Sequence, residues 1–116
     1  MKTISAFAFV LLAALAFQQQ LARAYIACPD VLSDMEPCLS FLQGDGATPS
    51  GQCCAGARSV YAAAGTTAER RATCECLKTA YRQVNAQLSA AQALPDDCGL
   101  SLPYTITPDI DCSKIE

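Results

Sequence analysis

The sequence predicts an exported, disulfide-stapled, all-α domain. Three observations carry that prediction. The N-terminus has the make-up of a secretory leader, eight cysteines follow it, and the segments between those cysteines place apolar residues at three- and four-residue steps.

Residues 1–24 form the leader: Lys2 supplies the positive end, Ile4 to Phe17 the apolar centre, and Ala22-Arg23-Ala24 the small residues that a signal peptidase requires. A membrane anchor is the alternative. The apolar run falls short of the roughly 20 residues a bilayer needs, and three glutamines and an arginine follow within six positions. Residues 25–116 leave room for one small domain, with no linker, repeat or low-complexity stretch to divide it. Nothing after the leader is apolar for long enough to span a membrane, so the expected destination is the extracellular space or the cell wall.

The first helix of the domain is expected to begin near Pro29, a residue tolerated in a first turn, and to end at Gly44. Val31, Leu32, Met35, Leu39 and Leu42 form its apolar stripe, and Asp30, Asp34, Glu36 and Ser40 its wet side. A loop from Gly44 to Gly51 follows. The second helix is expected from Gln52 to Ala64, with Cys54, Ala57, Val60, Tyr61 and Ala64 on one face and Gly65 as its stop. Thr66-Thr67-Ala68-Glu69 has the capping-box form and opens a third helix, whose inward stripe is Ala72, Cys76, Ala80 and Val84 with Leu77 and Tyr81 beside it. A shorter fourth helix, Gln87 to Ala93, is expected to stop before Pro95, because proline disfavours helical geometry in the residue it follows. From Gly99 onward the chain alternates apolar and polar residues. Pro103, Pro108 and the lack of any partner strand favour an irregular wrap over a strand.

An even number of cysteines in a short exported chain reads as four disulfides rather than a metal site. One pair is adjacent and another separated by a single residue, whereas zinc ligands favour gaps of two to four. Spacing alone leaves the connectivity open. After the leader there is no Trp and a single Phe, Phe41, and alanine fills many inward helical positions. Small side chains either let helices pack closely or leave a hollow between them. Composition weighs the two equally. A hollow of about 300 Å³ would cost roughly 7 kcal/mol, and four disulfides at about 2–4 kcal/mol each could hold such a shell together.

The cysteine order is Cys28, nine residues, Cys38, fourteen, Cys53-Cys54, nineteen, Cys74-Glu75-Cys76, twenty-one, Cys98, thirteen, Cys112. Over the whole of residues 25–116 it resembles the eight-cysteine framework of the plant type-1 non-specific lipid-transfer proteins. Thr66-Thr67-Ala68-Glu69-Arg70-Arg71 and Pro103-Tyr104-Thr105-Ile106-Thr107 resemble that family's two short consensus segments. The resemblance implies a right-handed bundle of four helices with a C-terminal tail around an apolar tunnel, and bridges Cys28–Cys76, Cys38–Cys53, Cys54–Cys98 and Cys74–Cys112. In the family a polar residue between the paired cysteines accompanies this pairing, and Glu75 fits it. By the same resemblance Arg70 and Tyr104 become head-group contacts. Without it, Arg70 reads as a solvated charge and Tyr104 as a ring filling space under the tail. Met35, Leu39, Val60, Leu77, Leu102 and Ile106 are expected to line the tunnel, although an ordinary core would use the same residue types. Glu69 stands where the family more often has aspartate, which keeps the cap.

The function expected from the resemblance is binding and transfer of fatty acids, lysolipids and phospholipids by a monomer in transient contact with membranes. A secreted inhibitor of digestive hydrolases on a related scaffold is the alternative, although its cysteine spacing differs. The residues themselves exclude other classes. Lys2 and Arg23 leave with the leader while all 11 acidic residues stay, taking the net charge from −3 to −5, which disfavours nucleic acid and anionic membranes. Histidine is absent, and with it the commonest general base and metal ligand, so neither an enzyme nor a cofactor or metal is expected.

Overall fold

A computed structural model describes residues 27–116, so the leader expected at 1–24 lies outside the described residues. Helix α1 spans Cys28–Met35 and passes through a 3₁₀ turn at Glu36–Cys38 into the short α2, Leu39–Leu42. The continuous first helix expected from the periodicity is thus broken at Pro37. Proline has no N–H to continue the ladder, and the Glu36 N–H instead reaches the Ser33 carbonyl. Helix α3 spans Gly51–Ala63, opened by Ser50, whose hydroxyl accepts from the Cys53 N–H at 3.0 Å.

Helix α4, Thr67–Gln83, begins with the expected capping box. The Thr66 hydroxyl accepts from the Glu69 N–H at 3.1 Å, and the Glu69 carboxylate accepts from the Thr66 N–H at 3.2 Å. Helix α5 covers Leu88–Asp97 and carries Pro95 inside it, against the expected stop at Ala93. Pro95 falls in the last turn and forfeits one helical bond, the one that would run to the Ala91 carbonyl, and the end is closed by a different device. Gly99, at φ +74°, lets its own N–H reach the Asp96 carbonyl and the Leu100 N–H reach that of Pro95, a Schellman closure. Beyond it the tail is irregular, as expected. Only a 3₁₀ turn at Cys112–Lys114 interrupts it, and no strand occurs among the described residues.

All four disulfides join the pairs implied by the resemblance. Two residues apart on α4, Cys74 reaches the tail and Cys76 reaches α1, because successive even positions on a helix point to widely different sides. The bridges are also the core. Among the described residues Cys38, Cys53, Cys98 and Cys112 are the largest side chains buried almost completely, and no Leu, Ile or Phe there reaches that level. One cluster gathers Cys38, Phe41, Cys53, Cys54, Ala57, Leu94 and Cys98, and a second joins Val31, Val60 and Cys76 between α1, α3 and α4. A third pins the tail to α4 through Cys74, Cys112 and Ile115. Tyr61, expected on the inner face of α3, is 50 % exposed instead.

The helices therefore meet through sulfur and small side chains, and they meet closely in one place. A Cβ on Gly56 of α3 would collide with the Asp34 carbonyl of α1. On the other side of α1, between α1, α2, α4, α5 and the tail, the space is not filled.

Candidate functional site

That unfilled space is a half-enclosed cavity of about 510 Å³, within the ~300–1,000 Å³ range of small-molecule sites. Sealed and empty, it would cost about 12 kcal/mol at ~24 cal/mol per Å³. Four disulfides supply on the order of 12 kcal/mol, so crosslinks of this number can hold the hollow form without a filled core.

Its walls come from α1, α2, α4, α5 and the tail. Leu32 and Met35 of α1, Leu39 and Leu42 of α2, Leu77, Ala80 and Tyr81 of α4 with Val84 capping it, Ala91 and Leu94 of α5, and Leu102, Tyr104, Ile106 and Ile110 of the tail all border it. Alanines at 80, 86 and 91 stand where larger residues would close the space. Leu32 and Leu39 are also among the exposed large apolar side chains, so the cavity reaches the surface along α1 and α2.

Of the residues expected to line a tunnel, Met35, Leu39, Leu77, Leu102 and Ile106 border this cavity. Val60 does not. It is buried in the cluster with Val31 and Cys76, behind Met35 and Leu77, because α3 packs against the far side of α1 and contributes no wall residue.

The two expected head-group residues sit differently. Tyr104 borders the cavity and is half-buried. Burial raises its phenol pKa above the ordinary value, the nearby Tyr61 pushes the same way, and Arg70 opposes both. Arg70 is near enough to act on Tyr104 but does not border the cavity. Its Nε donates to the main-chain oxygen of Glu116 at 2.8 Å, Nη1 to the Gly65 carbonyl at 3.1 Å, and Nη2 to the Thr67 hydroxyl at 3.3 Å. The guanidinium therefore fastens the end of the chain to the start of α4. Arg71 does the same through its Nε, 2.7 Å from the Ile115 carbonyl.

A cation that sequence reasoning missed lies in the wall itself. Lys78, one turn after Cys74 on α4, borders the cavity and donates from Nζ to the Ile110 carbonyl at 2.7 Å. Four-residue spacing from Cys74 was the available signal, since Cys74 faces the tail. Among the described residues no group of His, Cys, Asp or Glu is arranged to hold a metal ion.

The profile of the protease inhibitor/seed storage/LTP family matches residues 28–112. Non-specific lipid-transfer protein 1 of Oryza sativa subsp. indica is 46 % identical over 106 residues, covering 90 % of this chain and 90 % of the rice protein. The solved structure of barley non-specific lipid transfer protein 1 in complex with a lysophosphatidylcholine aligns with a TM-score of 0.75 at 42 % identity. It covers 78 % of this chain and 100 % of the barley chain. A wheat non-specific transfer protein complexed with two phospholipid molecules aligns with a TM-score of 0.74, at the same identity and coverage. With a family profile running from the first cysteine to the last, and a rice relative matched over nine-tenths of the chain, this protein belongs to the protease inhibitor/seed storage/LTP family, among its non-specific lipid-transfer proteins.

Proposed function

We propose that the protein is a secreted lipid carrier that holds the acyl chain of a fatty acid, lysolipid or phospholipid in the 510 Å³ cavity and releases it to membranes unchanged. The observation that carries this reading is the cavity wall. Five elements present leucine, isoleucine, methionine and alanine to one space, and polar groups enter it at few points. The barley and wheat structures, each loaded with lipid, share the fold at 42 % identity.

Burying a methylene gains about 0.8 kcal/mol against water, so a sixteen-carbon tail gains on the order of 12 kcal/mol before ordering costs. A bilayer offers nearly the same gain. Exchange between the two is then close to balanced, which suits a carrier better than a store.

Head-group selection falls to three residues. Tyr104 offers a hydroxyl within the wall, Lys78 an ammonium beside Ile110, and Arg70 the guanidinium N–H groups left over from its bonds to the chain end. All three favour a carboxylate or phosphate. No chemistry on the lipid follows, because every cysteine is disulfide-bonded and histidine is absent, leaving Ser and Tyr hydroxyls without an activating base. Residues 1–24 would direct export, and residues 25–116 would be the working domain. No helix among the described residues is long and apolar enough to cross a membrane.

Displacement of a fluorescent fatty acid by palmitate and by lysophosphatidylcholine tests the reading. Saturable one-site displacement by both is expected, with amylase and trypsin assays of the same sample reading no inhibition. A sample that takes up neither lipid refutes the proposal.

A further inference from the structure

Two cavities meet at the tail. Leu102, Tyr104 and Ile106 border the main space of about 510 Å³ and also border a second, half-open one of about 330 Å³, flanked on its other side by Gln92, Pro95 and Asp96 of α5. A segment whose side chains face both spaces is a partition between them. Atoms beside a void lack packing partners on that side, so such a partition is held by its fastenings more than by its neighbours.

Those fastenings are few. The N-terminal end of the segment is fixed where the Leu100 N–H meets the Pro95 carbonyl, and the C-terminal end where Lys78 meets the Ile110 carbonyl. Between them, among the described residues, the backbone of 101–106 makes no backbone hydrogen bond to the rest of the chain. The one bond that reaches it comes from Gln92, whose Nε2 donates to the Ile106 carbonyl at 2.9 Å. Gln92 is exposed, so this is a side chain acting as a clasp on the outside of the wall.

The geometry points to Gln92 as a specificity-determining residue of the cavity. By clasping Ile106 it keeps the partition closed and limits cargo to what the main space admits. Releasing it lets the second space join the first and shifts preference from one-chain toward two-chain lipids. This inference rests on the lipid-binding reading above. Gln92 touches no cargo; it acts through the Leu102–Ile106 wall and is a positioning residue.

The test compares affinities for a one-chain lysophosphatidylcholine and a two-chain phosphatidylcholine in wild type, Gln92→Met, Gln92→Ala and Gln92→Lys. Native mass spectrometry reads the bound lipids, and circular dichroism checks the fold. Loss of one exposed hydrogen bond corresponds to about a fivefold change in an equilibrium. The donorless Met and Ala variants are therefore expected to raise the two-chain to one-chain affinity ratio about fivefold, while Lys, which retains a donor, stays near the wild-type ratio. Equal ratios in all four proteins, with lysolipid still bound by each, overturn the role of Gln92 and leave lipid binding standing. A Lys variant that behaves like Met also overturns it. A wild type that binds neither lipid removes the lipid reading and this inference together.

Discussion

Tyr104 concentrates several effects in one side chain. Its ring borders both cavities, and its hydroxyl titrates above the ordinary tyrosine range because burial opposes the charged form. A raised folded-state pKa means that its contribution to stability is complete below the unfolded value of about 10 and is lost as pH rises through the higher folded value. Denaturant titrations at increasing alkalinity should therefore show wild type losing stability more steeply than Tyr104→Phe, which has no proton to release. Parallel curves would mean that the hydroxyl is as well solvated in the fold as outside it. At this scale the sequence was only partly legible. The resemblance singled out Arg70, yet not that its donors hold Gly65 and Glu116, since those partners lie five and 46 residues away. Lys78 was missed because a lone lysine on a helix reads as solvated until the tail is seen lying across it.

Local rules served well for the elements where both partners are near in sequence. The capping box needs only four consecutive residues, so Thr66 and Glu69 could be read directly. Pro95 failed the same treatment, because a rule about single prolines cannot see that the Schellman turn at Gly99 already fixes the end of α5. Gly56 gave no local warning. In an exposed helix interior, glycine to alanine is stabilising by roughly 0.5–1 kcal/mol. Here the added methyl meets backbone of α1, and parting two helices costs about 1–3 kcal/mol, so the clash outweighs the propensity. Gly56→Ala is expected to lower the urea midpoint of unfolding, and a rise would show that α1 and α3 have slack between them. Periodicity also placed Val60 on an inner face correctly but could not tell which of two insides it faced, the packed seam or the cavity.

For the whole molecule the decisive features are the bridges and the hollow they enclose. The number of bridges could be read from the cysteine count and compartment, whereas their pairing came only with the resemblance, because spacing carries no distance information. Hollowness was even money from composition, since alanine serves a tight interface and a void equally. If the space is the working site, filling it should abolish binding without harming the fold. Ala80→Phe, which projects from α4 into the cavity, is expected to weaken fatty-acid binding at least tenfold, about 1.4 kcal/mol, while the melting temperature of lipid-free protein stays within a few degrees. Undiminished binding would place the acyl chain elsewhere. Helix α3, among the described residues the one long helix that supplies none of the wall, is an outer buttress. A dye attached on its solvent side, at Ala62 for instance, would ride on the frame without entering the chamber, so the protein can be labelled for tracking while its cargo space stays free.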